Sequence, residues 1–288
     1  MKALAGFIMR GRMAAILFVA GTSLVPLLAW LGGAALSLVN LHGGGRQGAL
    51  VMGSALLLVA AVEMLLTGHA GGAIALALLV WMPVLLATLV LRVTVSLPLA
   101  LMTAVGLAGL GLIAWYLAVA DPETFWRLRL EGLAEDVDQA QKEQMMAFFG
   151  HYLAVFVALG LLLNVVVGLL LGRAWQAALY NPGGFRREFH ALRFDRRLAL
   201  LALGLLFAAT FTGPGLVYDL ALLLAALFLL QALAVAHAVV HGRGWNVAVL
   251  VLAYILVPVA FLAVALLGML DSLLDFRRRL LQGAGPGG

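Results

Sequence analysis

The sequence contains no cysteine and little charge, and each absence excludes a class of protein. With no cysteine among the 288 residues, disulfides, thiol nucleophiles and cysteine-ligated zinc or iron–sulfur sites are excluded. Charged residues make up 11% of the chain, against roughly 25% in soluble domains. A soluble protein of this length would still need a polar surface, so the composition excludes a soluble fold.

Catalytic motifs are also missing. The glycine-rich segment 43–48 lacks the lysine of a phosphate-binding loop, and neither an HExxH motif nor a nucleophile–base pair is found. His237 and His241 have the spacing of metal ligands on a helix, but no third ligand lies nearby in sequence. A structural or interfacial role is the alternative for them. We therefore predict no enzyme activity, no cofactor and no metal site.

Apolar residues are what the sequence has in excess. They form 65% of the chain, whose mean hydropathy is +1.11, and they occur in runs long enough to cross a bilayer core of about 30 Å. In hydrocarbon the backbone must satisfy its own hydrogen bonds, and leucine and alanine without period-two alternation favour helices over a barrel. The sequence predicts an all-α, polytopic transmembrane bundle of about nine spans, within a range of eight to ten.

The first apolar stretch, 13–40, is too long for one untilted crossing. Pro26 lies near its middle, where proline removes a helical hydrogen bond. The stretch is therefore either one kinked helix or two short helices at about 13–23 and 25–41. Later runs predict one span each, at 48–67, 72–91, 95–119, 151–172, 198–212, 216–240 and 245–270.

Arginine distribution predicts the orientation. Lys2, Arg10 and Arg12 place the N-terminus of this multi-pass protein in the cytoplasm. A double first crossing then puts the basic segment 173–197 inside and segment 121–150, with its seven acids, outside. Nine spans leave residues 277–279 outside, so either Pro258 splits the last run and returns the tail to the inside, or the tail departs from the rule. The net charge of +5 marks the cytoplasmic side, so no nucleic-acid partner is predicted.

Two segments outside the spans have amphipathic character. Residues 173–197 contain an Asn-Pro-Gly-Gly turn and then alternate arginine with aromatic residues or leucine, as a cytoplasmic interfacial helix does. Residues 122–149 predict an amphipathic helix over the outer face, and its apolar positions are Phe125, Leu128, Leu133, Val137, Met145 and Phe149. The predicted organisation is a helical core at 1–172, a basic loop at 173–197 and C-terminal helices at 198–288.

Ionisable residues inside spans are the strongest indication of a site, because each costs roughly 2.5–3.5 kcal/mol at mid-membrane. Glu63 and Asp219 are the two acids within apolar runs. They either line an outward-facing cavity or lie at interfacial depth, hydrated or paired with arginine. Trp81 and Asn164 complete the predicted ligand-binding set, although an interhelical hydrogen bond is the default for Asn164, and also for Gln231.

A second set of residues is predicted to contact lipid or a protein partner. Arg92 follows a span, where it is either such a contact or a topology anchor. The others come from the basic loop. The full set is Arg92, Phe185, Arg186, Arg187, Phe189 and Arg193.

Several stretches together resemble the YybS-like family of bacterial membrane proteins. They are FIMRGRM at 7–13, GRQG at 45–48, Leu91-Arg92, NPGGF at 181–185 and LGMLDSLLDFRRR at 267–279. That family in turn distantly resembles the substrate-binding S components of energy-coupling factor transporters. The resemblance implies a small-molecule ligand bound from outside and a transmembrane coupling subunit as partner, with residues 173–288 as an addition. The alternative function is a membrane scaffold or assembly factor that acts through the basic loop.

Overall fold

The computed structural model describes residues 1–119, 121–130 and 138–282, and every regular element within these ranges is helical. This confirms the all-α prediction. A 3-10 turn at Pro26–Leu28 and a π-helical turn at Ala77–Trp81 interrupt the series. The helices are α1 (Lys2–Ile8), α2 (Arg12–Ser23), α3 (Ala29–Gly43), α4 (Gly45–Thr67), α5 (Gly71–Leu76), α6 (Met82–Thr94), α7 (Leu97–Ala118), α8 (Pro122–Leu130), α9 (Gln139–Tyr180), α10 (Gly184–His190), α11 (Arg196–Thr212), α12 (Leu216–Gly242), α13 (Ala248–Val259), α14 (Phe261–Leu274) and α15 (Phe276–Gln282).

Five helical segments of the described chain are long and apolar enough to cross a membrane. They are Gly45–Thr67, Gly71–Thr94, Leu97–Ala118, Tyr152–Tyr180 and Leu216–Gly242. Two sharply bent pairs, α1 with α2 and α13 with α14, raise the number to seven if each pair is one span. Helices α3 and α11, with 15 and 17 residues, fall short of the roughly 20 that a crossing needs. The protein is thus polytopic by these helices, with five to seven candidate spans.

The first apolar stretch is broken in two. Helix α2 ends at Ser23, the 3-10 turn follows, and α3 begins at Ala29, so of the two alternatives the two short helices are right. The helices pack closely, since a Cβ on Gly32 would lie 2.7 Å from the Ser23 hydroxyl. Pro26 explains the break, because its ring excludes the helical hydrogen bond at this point.

The sixth predicted span is wrong at its C-terminal end. It was predicted to end at residue 172, but α9 continues for two more turns to Tyr180 and buries Trp175 and Ala177. The predicted turn then follows, with Gly183 in the left-handed region at φ 83°, and α10 provides the predicted amphipathic helix. Within 122–149, Leu128 is exposed, and Leu133 and Val137 lie outside the described residues.

The last predicted span, 245–270, is also wrong as a single helix. Helices α13 and α14 meet at Ala260 with a bend of 116°, two residues after Pro258. The chain therefore turns back, as the alternative of a split at Pro258 requires. Arg243, at the end of α12, donates hydrogen bonds to the carbonyl oxygen of Leu280, so α15 lies beside the C-terminal end of α12.

Internal packing divides the chain into two units. Unit 1 comprises Met1–Leu107 and Leu161–Ala191, and unit 2 comprises Ala108–Gly160 and Leu192–Gly288. Helices α2, α3, α4 and α6 form the centre of unit 1, whereas α12 packs against α11 and α14 in unit 2. The organisation predicted from the sequence, with a helical core at 1–172, a basic loop at 173–197 and C-terminal helices at 198–288, stays a prediction.

Small residues allow the closest helix contacts in both units. In unit 1, Gly168 and Gly172 of α9 face Gly33 and Ser37 of α3, and a Cβ on Gly172 would overlap the Ser37 side chain. In unit 2, a Cβ on Gly268 of α14 would overlap the carbonyl oxygen of Phe228 in α12. Backbone contact at small residues is how apolar helices associate in lipid, where the hydrophobic effect does not drive them together.

Candidate functional site

Asp219 is completely buried near the start of α12 in unit 2. The hydroxyl of Tyr116, on α7, donates a hydrogen bond to its Oδ2 over 2.8 Å. Its other oxygen, Oδ1, has no hydrogen-bond partner in the part of the chain that the structure describes. Buried polar atoms are nearly always satisfied in native proteins, so this oxygen is a vacant acceptor position.

Local sequence explains why an acid is found there. Glycines at φ 68° and 146°, Gly213 and Gly215, make the turn before α12, and Asp219 lies in the first turn of the helix. The partial positive charge of a helix N-terminus favours a carboxylate at that position. Asp219 donates its backbone N–H to Gly215 within the helix, which leaves the side chain to find partners elsewhere.

Tyrosines surround this end of α12. Tyr218 precedes Asp219, and its ring lies 5.8 Å from that of Tyr152 on α9. Tyr116 donates its hydroxyl to Oδ2 of the Asp219 carboxylate. Carboxylates and the faces of aromatic rings both attract cations. In the described ranges no three histidine, aspartate or glutamate side chains lie close enough to hold a metal ion.

A second aspartate of unit 2, Asp271 on α14, is equally buried but fully bonded. Its Oδ2 accepts hydrogen bonds from Gln231 Nε2 at 2.9 Å and from Arg277 Nη2 at 3.1 Å. Its Oδ1 accepts one from the backbone N–H of Arg277 at 3.1 Å. This carboxylate is neutralised and saturated, so its role is structural.

The same network fixes the chain before α11. Gln231 Oε1 accepts hydrogen bonds from the Phe194 N–H at 2.8 Å and from the Ser272 hydroxyl at 3.1 Å, and Arg277 binds the Leu192 carbonyl oxygen at 2.7 Å. The interhelical role predicted for Gln231 is confirmed. Asp271, Ser272 and Arg277 were not predicted as a cluster, because the last span was predicted to end at residue 270.

Glu63 lies at the end of α4 and caps the next helix. Its Oε1 accepts the Gly72 N–H at 2.9 Å and its Oε2 accepts the Ala73 N–H at 2.7 Å, while His69 Nδ1 lies 3.7 Å from Oε1. A carboxylate at a helix N-terminus satisfies amides that lack helical partners. Both oxygens of Glu63 therefore have a structural use, which neither of the two predicted roles anticipated.

Trp81 and Asn164 do not join Glu63 in a common site. Trp81 has no exposed surface, and its indole N–H lacks a hydrogen-bond acceptor among the described residues. It lies in the π-helical turn, about 12 Å along the helix from the end that Glu63 caps. Asn164 is half-buried on α9. The ligand-binding role of these residues stays a prediction, and Asp219 belongs to the other unit.

Two of the predicted contact arginines bind the C-terminal ends of helices. Arg92 donates to the carbonyl oxygens of Asn40 and Leu41, at 3.1 and 2.9 Å, in the last turns of α3. Arg193 donates to those of Asp271 and Ser272, at 3.4 and 3.3 Å, near the end of α14, and pairs with Asp275. A cation is stabilising at a helix C-terminus, where carbonyls lack helical partners.

Helix α10 keeps an exposed basic surface. Arg173 of α9 is buried and binds both carboxylate oxygens of Glu188, which holds α10 in place. Phe185 and Phe189 stack with their ring centroids 5.8 Å apart. The remaining predicted contacts, Arg186 and Arg187, are exposed.

No family model, curated protein or solved structure matches this chain. The resemblance to the YybS-like family and to S components therefore stays a prediction. Asp219, with an oxygen that lacks a partner among the described residues, is the feature of this geometry with the most direct chemical meaning.

Proposed function

We propose that the protein is a transport-related, multi-pass protein of the bacterial inner membrane that binds a small ammonium-bearing molecule at Asp219. The observation that carries the proposal is the vacant Oδ1 of this completely buried carboxylate. Tyr116 holds the other oxygen, so one acceptor of fixed direction is available to a ligand.

The chemistry follows from the cost of burial. An ionised carboxylate with a single neutral donor is unfavourable away from water, because one hydrogen bond does not replace its hydration. A ligand that carries a positive charge and an N–H group neutralises the carboxylate and also donates a hydrogen bond to Oδ1.

The orientation that goes with this proposal has the N-terminus in the cytoplasm. Arg243, at the end of α12, lies on the cytoplasmic side, and the bent α13–α14 pair keeps the tail there. Asp219 then lies toward the outer face and residues 277–279 toward the inner one, in agreement with the arginine bias. The predicted total of eight to ten spans stays a prediction. Because the chain carries no ATP-binding motif, active uptake would require partner subunits, as in the S components that it resembles.

Ligand binding can be tested by exchanging single side chains in protein purified in nanodiscs. A panel of small primary and secondary amines is screened by thermal shift, and hits are quantified by calorimetry. Asp219→Asn should weaken binding at least tenfold, and Tyr116→Phe should weaken it by about tenfold through loss of one charged hydrogen bond. Glu63→Gln is the matched control and should bind normally. Equal affinities for wild type and Asp219→Asn, or no amine bound at all, would refute the proposal.

The alternative function, a scaffold, is favoured by one observation. Arg173 and Glu188 hold α10 so that Arg186 and Arg187 remain exposed for an acidic partner. Reversing both charges, with Arg186→Glu and Arg187→Glu, should then remove a co-purifying protein. The matched control reverses the exposed Arg196 and Arg197 instead. Recovery of the same proteins with both double variants would exclude a role for this surface.

A further inference from the structure

Unit 1 contains a cleft of about 240 Å³ beside the turn between α1 and α2. Its polar lining comes from Arg12, His42 and Gln47, and apolar residues that include Ile8, Val39 and Val51 form its apolar wall. Pockets that enclose whole drug-sized ligands measure roughly 300–1,000 Å³. The cleft is thus suited to the polar head of a larger molecule, whose apolar part would contact the apolar lining residues.

Two tight turns build the cleft. Helices α1 and α2 are bent by 114° at the residues around Gly11, which brings Arg12 to the rim. Helix α3 ends at Gly43, and Gly44, at φ 88°, lets α4 begin at once, so that His42 and Gln47 reach the same rim. The His42 ring is held by stacking on Tyr180 at 4.6 Å.

The positive charge in the cleft is not neutralised within the unit. Residues 1–107 and 161–191 contain two acids, Glu63 and Glu188, against eight lysine and arginine residues. Glu63 caps α5 and Glu188 is bound by Arg173, so both are occupied elsewhere. Arg12 is exposed at the cleft and has no ion pair or side-chain hydrogen bond with the described residues, so its guanidinium can receive an anion from outside the chain.

We infer that this cleft binds the headgroup of an anionic phospholipid. A guanidinium binds phosphate oxygens in a bidentate manner, and the Gln47 amide and the His42 ring supply further donors. The apolar wall suits the glycerol and the first methylenes of the acyl chains. Since α4 begins a candidate span at Gly45, the cleft lies at the end of a span, where headgroups are found. The inference concerns unit 1 and does not depend on the Asp219 site.

Native mass spectrometry of the detergent-purified protein can test this inference. The protein is titrated with phosphatidylglycerol and with phosphatidylcholine of the same acyl chains. Wild type should retain phosphatidylglycerol preferentially, and Arg12→Gln should lower its affinity about tenfold. Arg10→Gln removes the same charge from the same turn but not from the cleft lining, so it should behave as wild type. Arg12→Lys keeps the positive charge but lacks the planar fork of N–H donors. Its affinity for phosphatidylglycerol should therefore lie between those of wild type and Arg12→Gln.

Three results would overturn the inference. Equal affinity for phosphatidylglycerol and phosphatidylcholine would show that the charge of the headgroup does not contribute to binding. Equal losses in Arg12→Gln and Arg10→Gln would show a diffuse electrostatic effect instead of a site. Displacement of the lipid by glycerol phosphate at equal concentration would assign the cleft to a soluble phosphate ester. Each variant is first compared with wild type for monodispersity and melting temperature, and Arg12→Lys serves if Arg12→Gln does not fold.

Discussion

Unit 2 buries two aspartates completely, and their surroundings differ in the donors that reach them. Asp271 accepts three hydrogen bonds, two of them from Arg277, whereas among the described residues Asp219 accepts one, from Tyr116. The same residues compensate Asp271 in charge and in geometry, but they give Asp219 no cation and leave Oδ1 without a donor. Burial alone therefore does not distinguish a site from a structural element, while the count of filled acceptors does.

The backbone explains the difference. Asp275, a non-glycine residue at φ 51°, turns the chain sharply after α14, so that Arg277 folds back onto Asp271. Asp219 lies at the opposite kind of helix end, where the chain enters α12 through Gly213-Pro214-Gly215 and supplies no cation. A carboxylate at a helix start benefits from the dipole, but that is worth only about 0.3–2 kcal/mol.

The largest effect is expected at the saturated carboxylate. Asp271→Ala leaves Arg277 and Gln231 buried without their acceptor, and breaking a buried ion pair costs about 3–5 kcal/mol. Unfolding in detergent, followed by circular dichroism, should show a strongly lowered melting temperature. Asp219→Ala is the comparison and should be far less destabilised. Similar melting temperatures for the two variants would break the distinction drawn between the aspartates.

An intermediate effect of opposite sign is expected at Asp219. Asp219→Asn removes an uncompensated charge while the amide oxygen can still accept the Tyr116 hydroxyl, so the protein should become more stable, by about 1 kcal/mol. The same unfolding measurement, without ligand, checks it. A clear loss of stability would mean that the charge itself supports the fold, and Asp219 would join Asp271 as a structural residue.

The smallest effect is expected at the edge of the Asp271 network. Ser272→Ala removes the hydroxyl that donates to the Phe194 carbonyl oxygen at 3.1 Å and touches Gln231 at the same distance. A neutral hydrogen bond contributes about 0.5–1.5 kcal/mol, and this hydroxyl proton is shared between two acceptors, so a loss of about 0.5 kcal/mol is expected. Amine binding should not change. A loss as large as that of Asp271→Ala would instead show that the hydroxyl is essential to the whole network.

Hydropathy and turn residues predicted many of the helix bounds. The end of α4 at Thr67 agrees with the predicted run because Gly68, at φ 79°, stops the helix. The sequence predicts that a span ends at residue 172, just before Arg173, since a charged residue normally marks the membrane interface. Arg173 is instead buried against Glu188, 15 residues away, and such a pairing leaves no trace in local composition.

Prediction of the site is limited in the same way, because local composition does not show which distant residues pair. Asp219 was found because an acid within an apolar run is costly wherever it lies. Its partner, Tyr116, is 103 residues away, and only the packing of α7 against α12 brings them together. Asp271 was missed because the span was predicted to end one residue before it. Glu63 was found for the same reason as Asp219, yet it caps a neighbouring helix.

The arginines at helix ends have an electrical consequence. Carbonyl oxygens are neutral acceptors, so Arg92 and Arg243 donate hydrogen bonds to them without any cancellation of charge by the carbonyls. Arg92 thus joins α6 to α3 and keeps its positive charge. Arg173 is the contrasting case, because Glu188 makes it part of a neutral pair. A count of arginines along the sequence therefore overstates the net charge at the end of α9, and the pairing with Glu188 corrects the count.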